Sequence, residues 1–108
     1  MEPYCAVIFS STRRVSAPPH GDGDDGYDAM ADRMEALAAE QPGYRGIESA
    51  RSTDGFGITV SYWADEASAQ TWKRNVEHLE AQRLGRERWY ASWAIRVAAV
   101  TREYRSGS

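Results

Sequence analysis

The stretch from Phe56 to Tyr90 gathers Trp63, Trp72, His78 and Trp89: three of the chain's four tryptophans and one of its two histidines. Indole rings bury large areas and stack on other flat molecules. An imidazole exchanges a proton near neutral pH, or ligates a metal or a haem iron. These residues are therefore either ordinary core or the lining of a cavity for a flat, apolar ligand with a proton carrier beside it.

A helical wheel over residues 69–83 separates three surfaces. Ala69, Trp72, Val76 and Leu79 form an apolar stripe, and Lys73, Arg74, Glu77 and Glu80 form a solvated one, with Lys73 and Glu77 spaced for a surface pair. Between them runs an uncharged polar stripe, Thr71, Asn75, His78 and Gln82. It either borders a cavity or is a helix edge shielded by a neighbouring loop. No second His, Cys or carboxylate completes a metal-ligand motif around His78, because His20 falls in a loop, so no metal site is expected.

The elements that must position these groups follow from periodicity. "YCAVIFSS" (Tyr4 to Ser11) reads as a buried strand, and residues 12–26, with Pro18-Pro19 and three glycines, read as a flexible loop. Its "HGDGDDG" lacks the following glutamate that a calcium-binding loop requires. Tyr27, Met30, Met34, Leu37 and Ala38 mark an amphipathic helix, with Asp24 or Asp25 as candidate cap, and "QPG" stops it. A strand over 44–52, a hairpin signal at Thr53–Gly55 and a strand over 56–63 come next. A second helix begins at Asp65 with Gly85 as terminator, and "WAIRVAAVTREY" is a final long strand. The order β-α-β-β-α-β predicts an α+β, ferredoxin-like fold with a four-stranded antiparallel sheet. It forms one domain over residues 1–104, followed by a disordered tail, 105–108.

Two helices cover one face of such a sheet. Phe56, Ile58, Val60 and Tyr62 point one way, and Gly57, Thr59, Ser61 and Trp63 the other. The uncovered face, apolar yet with small and hydroxyl-bearing residues, needs a cover, and a second copy of the sheet supplies it as a homodimer. Trp89 and Trp93 are expected to support that dimer. Small residues beside a tryptophan, Gly57, Thr59 and Ser61 next to Trp63, leave space and point to a pocket.

A net charge of −3 gives no basic footprint for nucleic acid, although twelve of the thirteen basic residues are arginine, Lys73 being the exception. Cys5 is alone, so no disulfide or cysteine metal site forms within one chain. No run approaches the roughly 20 apolar residues of a membrane span, and no leader pattern opens the chain. The expected location is cytoplasmic.

These residues resemble a family. The element order, "QPGYRGIESA", "VSYWADEASAQTWKRNVEH" and "GRERWYASWAIRVAAVTREY" are similar to the antibiotic biosynthesis monooxygenase superfamily, small proteins of secondary metabolism that pair as dimeric α/β barrels. The resemblance covers most of the chain and implies a cofactor-independent monooxygenase or oxidase acting on an aromatic or polyketide-like molecule. Deprotonation lets a carbanion pass an electron to O₂ in a dry cavity. In that reading His78 is the base, and Asn75 or Arg96 stabilises the enolate oxygen. Trp63 and Trp72 stack on the ring, and Tyr62, Thr59 and Ser61 complete the substrate site. Arg96 has an alternative role, pairing with Glu48 across an interface. Haem-degrading relatives place an iron ligand where His78 stands, but their first-strand asparagine is absent from "VIFSS". The readings that stay open are therefore a haem-binding protein with axial His78 and a non-catalytic small-molecule binding module.

Overall fold

A computed structural model describes residues 2–13, 27–82 and 90–107, with side chains described at 2–12, 32–77 and 92–107. The elements are β1 (Tyr4–Arg13), α1 (Tyr27–Ala39), β2 (Tyr44–Arg51), β3 (Phe56–Trp63), α2 (Glu66–Gln82) and β4 (Tyr90–Val100). The strands form one antiparallel sheet in the order β2-β3-β1-β4. This is the ferredoxin-like α+β arrangement that the element order predicts.

Three boundaries differ from the local sequence pattern, each for a reason of pairing or capping. β1 continues through Thr12 and Arg13 because β4 pairs with them at Ser92 and Tyr90 across a register shift. β4 ends at Val100 rather than Tyr104 because Val100 faces Tyr4, the first residue of β1. α1 closes at Ala39 in a tightened turn, with Glu40 N donating to Leu37 O and Gln41 N to Ala38 O, before Pro42 bars continuation. The expected caps Asp24 and Asp25, the terminator Gly85 and the loop over 14–26 lie outside the described residues.

Turn chemistry fixes how the elements meet. Gly43, with φ of 85°, carries the chain from α1 into β2, and its carbonyl accepts from Ala64 N at 2.7 Å. A methyl group at Gly43 would stand 2.3 Å from Ser68 Oγ, so the backbone there lies against the first turn of α2. Asp65 caps α2, accepting from Ser68 N at 2.8 Å. The hairpin between β2 and β3 closes through Ser52 N to Phe56 O at 2.8 Å, with Asp54 Oδ1 accepting from Phe56 N at 3.0 Å.

The register sorts the sheet into two faces. Val7 pairs with Ser61 and with Val97, Phe9 with Thr59 and with Ile95, and Ile47 with Ser61, so these share the face under the helices. The core sits there: Val7 and Trp63 from the sheet pack with Ala38 of α1 and Ala69, Trp72 and Val76 of α2. The expected apolar stripe of α2 is thus buried at Ala69, Trp72 and Val76, and Lys73 pairs with Glu77 at 3.3 Å on the solvent side. The opposite face carries Ala6, Ile8, Ser10, Val60, Tyr62, Ala94, Arg96 and Ala98 by the same pairing, with Phe56 44% and Ile58 40% exposed. The small, hydroxyl-bearing residues therefore lie beneath the helices, and the face that they leave open is the more aliphatic one. No described helix is long and apolar enough to cross a membrane.

Candidate functional site

Between the sheet and the helices lies a cavity of about 190 Å³. Its floor is the sheet: Val7 and Phe9 of β1, Ile47 and Ser49 of β2, Thr59 and Ser61 of β3. Trp72 and Val76 of α2 form one wall, and Asp32, Met34 and Glu35 of α1 form the other. The space exists because a β-strand alternates. Thr59 and Ser61 point toward the helices and are too small to reach them, whereas the next residue in that row, Trp63, reaches and fills.

Trp63 anchors the end of the cavity. It is 0% exposed, stacks on Trp72 with ring centres 5.6 Å apart, and meets the edge of Tyr44 at 5.8 Å. Its Nε1 donates to Ser61 Oγ at 2.9 Å, and Ser61 in turn reaches Val7 O at 3.5 Å. One small hydroxyl therefore lines the cavity and satisfies the buried indole. Trp72 separates the cavity from a second hollow of about 160 Å³, bordered by Gln41, Pro42, Ser68 and Thr71.

The structure divides the residues proposed from the sequence. Trp72, Thr59 and Ser61 line the cavity, and Trp63 packs behind them. Tyr62 and Arg96 are on the open face, where Tyr62 Oη donates to Glu48 Oε1 at 2.8 Å and Arg96 Nη1 to Ser10 Oγ at 3.4 Å. The Glu48 hydrogen bond pushes the Tyr62 phenol above its ordinary value of 10.0, which removes it as an acid near neutrality. Asn75 is half-buried on α2 and is not among the described lining residues. His78 lies on α2, its side chain outside the described set. Trp93 is on the helix side, its ring 6.0 Å from Phe9, and Trp89 lies outside the described residues. Asp32 and Glu35, which lie outside the apolar stripe read from the sequence, stand at the cavity.

Cys5 packs against the core, and burial pushes its thiol up, so it is a poor nucleophile. Among the described residues no group of three or more His, Cys, Asp or Glu is arranged to hold a metal ion.

Residues 13–84 match the model of a family described as antibiotic biosynthesis monooxygenase. The chain belongs to that family. This monooxygenase-family member is 48% identical over 101 residues to the uncharacterized protein YqjZ of Bacillus subtilis, a match covering 94% of this chain and 82% of that one. It is 30% identical over 105 residues to the jasmonate monooxygenase ABM of Pyricularia oryzae; that match covers 94% of this chain and only 45% of the longer protein. Among solved structures, SnoaB of Streptomyces nogalater, described as a cofactor-independent oxygenase, superposes with a TM-score of 0.63 at 13% identity, covering 94% of this chain and 95% of that one. Rv0793 of Mycobacterium tuberculosis superposes at 0.64 with 15% identity, covering 98% and 100%. At these identities the structural likeness is one of fold.

Proposed function

We propose that the protein is a cofactor-independent monooxygenase or oxidase that takes an aromatic or polyketide-like small molecule into the cavity between sheet and helices. The observation that carries this reading is the cavity itself, apolar on most sides, walled by Trp72, which stacks on the buried Trp63, and carrying hydroxyls on its floor. Its volume exceeds the roughly 150 Å³ at which an apolar protein cavity takes up benzene. A substituted ring fits, and a larger fused system would extend through the mouth.

In this reading a methylene beside a carbonyl or phenol loses a proton to His78, and Thr59 and Ser49 donate to the enolate oxygen. The carbanion gives one electron to O₂, the radical pair joins in a C–O bond, and the hydroperoxide loses water as its O–O bond and the second C–H bond break. The methylene becomes a carbonyl while O₂ becomes that oxygen and one water, a four-electron exchange that needs no added reductant. The open face, with Phe56 and Ile58 exposed on the side that carries Ile8 and Val60, supports pairing with a second copy.

The test is oxygen uptake by chelator-treated, chromophore-free protein given an anthrone. One O₂ consumed per anthrone converted to quinone supports the reading, with loss of rate in His78→Ala. No uptake above the anthrone's own autoxidation would overturn it.

A further inference from the structure

If the cavity is the substrate site, as the preceding reading holds, its charges identify the class of molecule that it takes. Asp32 and Glu35, three residues apart on α1, bring two carboxylates to the wall, and the described lining contains no lysine or arginine. A described guanidinium on the same sheet face, that of Arg51, belongs to the next row of pairs, opposite Gly57. It is engaged there, donating from Nη1 to Gly55 O at 2.6 Å and from Nη2 to Ser11 Oγ at 3.4 Å.

We infer that Asp32 and Glu35 set a charge preference: the cavity takes neutral, hydrogen-bond-donating or cationic ring compounds and excludes ring carboxylates. The hydroxyl-bearing floor of Ser49, Thr59 and Ser61 serves the ring's own polar atoms, while the α1 wall accepts a donor or a cation at the mouth. A carboxylate entering there gives up hydration and meets two like charges, with no lysine or arginine among the described lining residues. At protein-surface dielectrics each such charge weakens anion binding on the order of tenfold.

The test uses three probes on one scaffold, 2-naphthol, 2-naphthylmethylamine and 2-naphthoate, titrated calorimetrically into the full chain at pH 7 and low salt. The expected result is that 2-naphthoate binds at least about tenfold more weakly than 2-naphthol, and the amine at least as tightly. D32N/E35Q should strengthen 2-naphthoate and weaken the amine, closing the gap between 2-naphthoate and 2-naphthol, and added salt should narrow that gap in the wild type. Thr59→Phe, verified as folded by circular dichroism, should abolish all three by filling the floor. If 2-naphthoate binds as tightly as 2-naphthol, or the gap survives in D32N/E35Q, the charge preference is overturned while the cavity reading stands. If none of the three binds, or 2-naphthol still binds to folded Thr59→Phe, both are overturned.

Discussion

Replacing Ser61 by alanine removes the acceptor for an indole N–H that has no access to water. Trp63 is 0% exposed and Ser61 1%, and the 2.9 Å bond between them is the described partner of Nε1. A buried donor left without an acceptor costs about 1–3 kcal/mol, more than the net worth of the bond, because the unfolded indole regains water. Taking about 2 kcal/mol, a domain of this size loses roughly 10 °C in Tm. The perturbation has an internal control. Trp63→Phe removes the donor at the cost of volume, and in the double variant the orphaned donor no longer exists, so the two effects should fall short of additivity by about 1–2 kcal/mol. Urea unfolding followed by far-ultraviolet circular dichroism, at one fixed protein concentration, measures all four corners of the cycle. Additive losses, or a Ser61→Ala protein within about 0.3 kcal/mol of wild type, would refute the claim that this hydroxyl holds the cavity's end wall in place.

Gly43→Ala should be among the most damaging small substitutions, because it combines a φ of 85° with a new methyl 2.3 Å from Ser68 Oγ; Gly43→Ala/Ser68→Gly should recover part of the loss in thermal unfolding. Asp65→Ala should lower Tm at pH 7, and by progressively less as pH falls below 3.8. The Ser68 backbone and side-chain hydrogen bonds hold the Asp65 carboxyl below its ordinary 3.8, so its stabilisation is present above that value and is lost as pH falls through the depressed folded value. Tyr4→Phe should speed amide exchange over residues 101–107, because Tyr4 Oη donates to Glu103 Oε1 at 2.6 Å and ties that segment to β1. The same bond, with Arg105 beyond it, depresses the Glu103 carboxyl, so in the wild type the protection of those amides, relative to their intrinsic exchange at the same pH, should fall as pH falls through that lowered value.

Much of this architecture is legible in the chain because local patterns agree with the fold. The stripe of Ala69, Trp72 and Val76, the cap at Asp65 and the hairpin before Phe56 each need only near neighbours. What escapes local reading depends on a remote partner. β4 stops where it runs out of β1, at Val100 facing Tyr4, and β1 runs past Ser11 to Arg13 because β4 pairs with it as far as Tyr90. The site shows the same division. Ser61 and Tyr62 are consecutive in a strand and so cannot share a face, but only the packing of α2 over Val7 and Trp63 decides which of them meets the cavity. Arg96 follows Tyr62 to the open face because Ile8 pairs with both Arg96 and Val60. Asp32 and Glu35 carry no signal separating them from the solvated residues of α1; their place at the cavity comes from where that helix lies across β2.

The central claim, that a ring ligand enters between sheet and helices, is tested most directly by mapping amide and methyl chemical shifts while titrating an unreactive anthraquinone. Strand alternation makes adjacent residues report opposite faces. The account predicts side-chain shifts at Val7, Ile47, Thr59 and Val76, with Ile8, Ile58 and Val60 little changed. Shifts concentrated on Ile8, Ile58, Val60 and the Arg96 side chain, with the cavity residues silent, would contradict it.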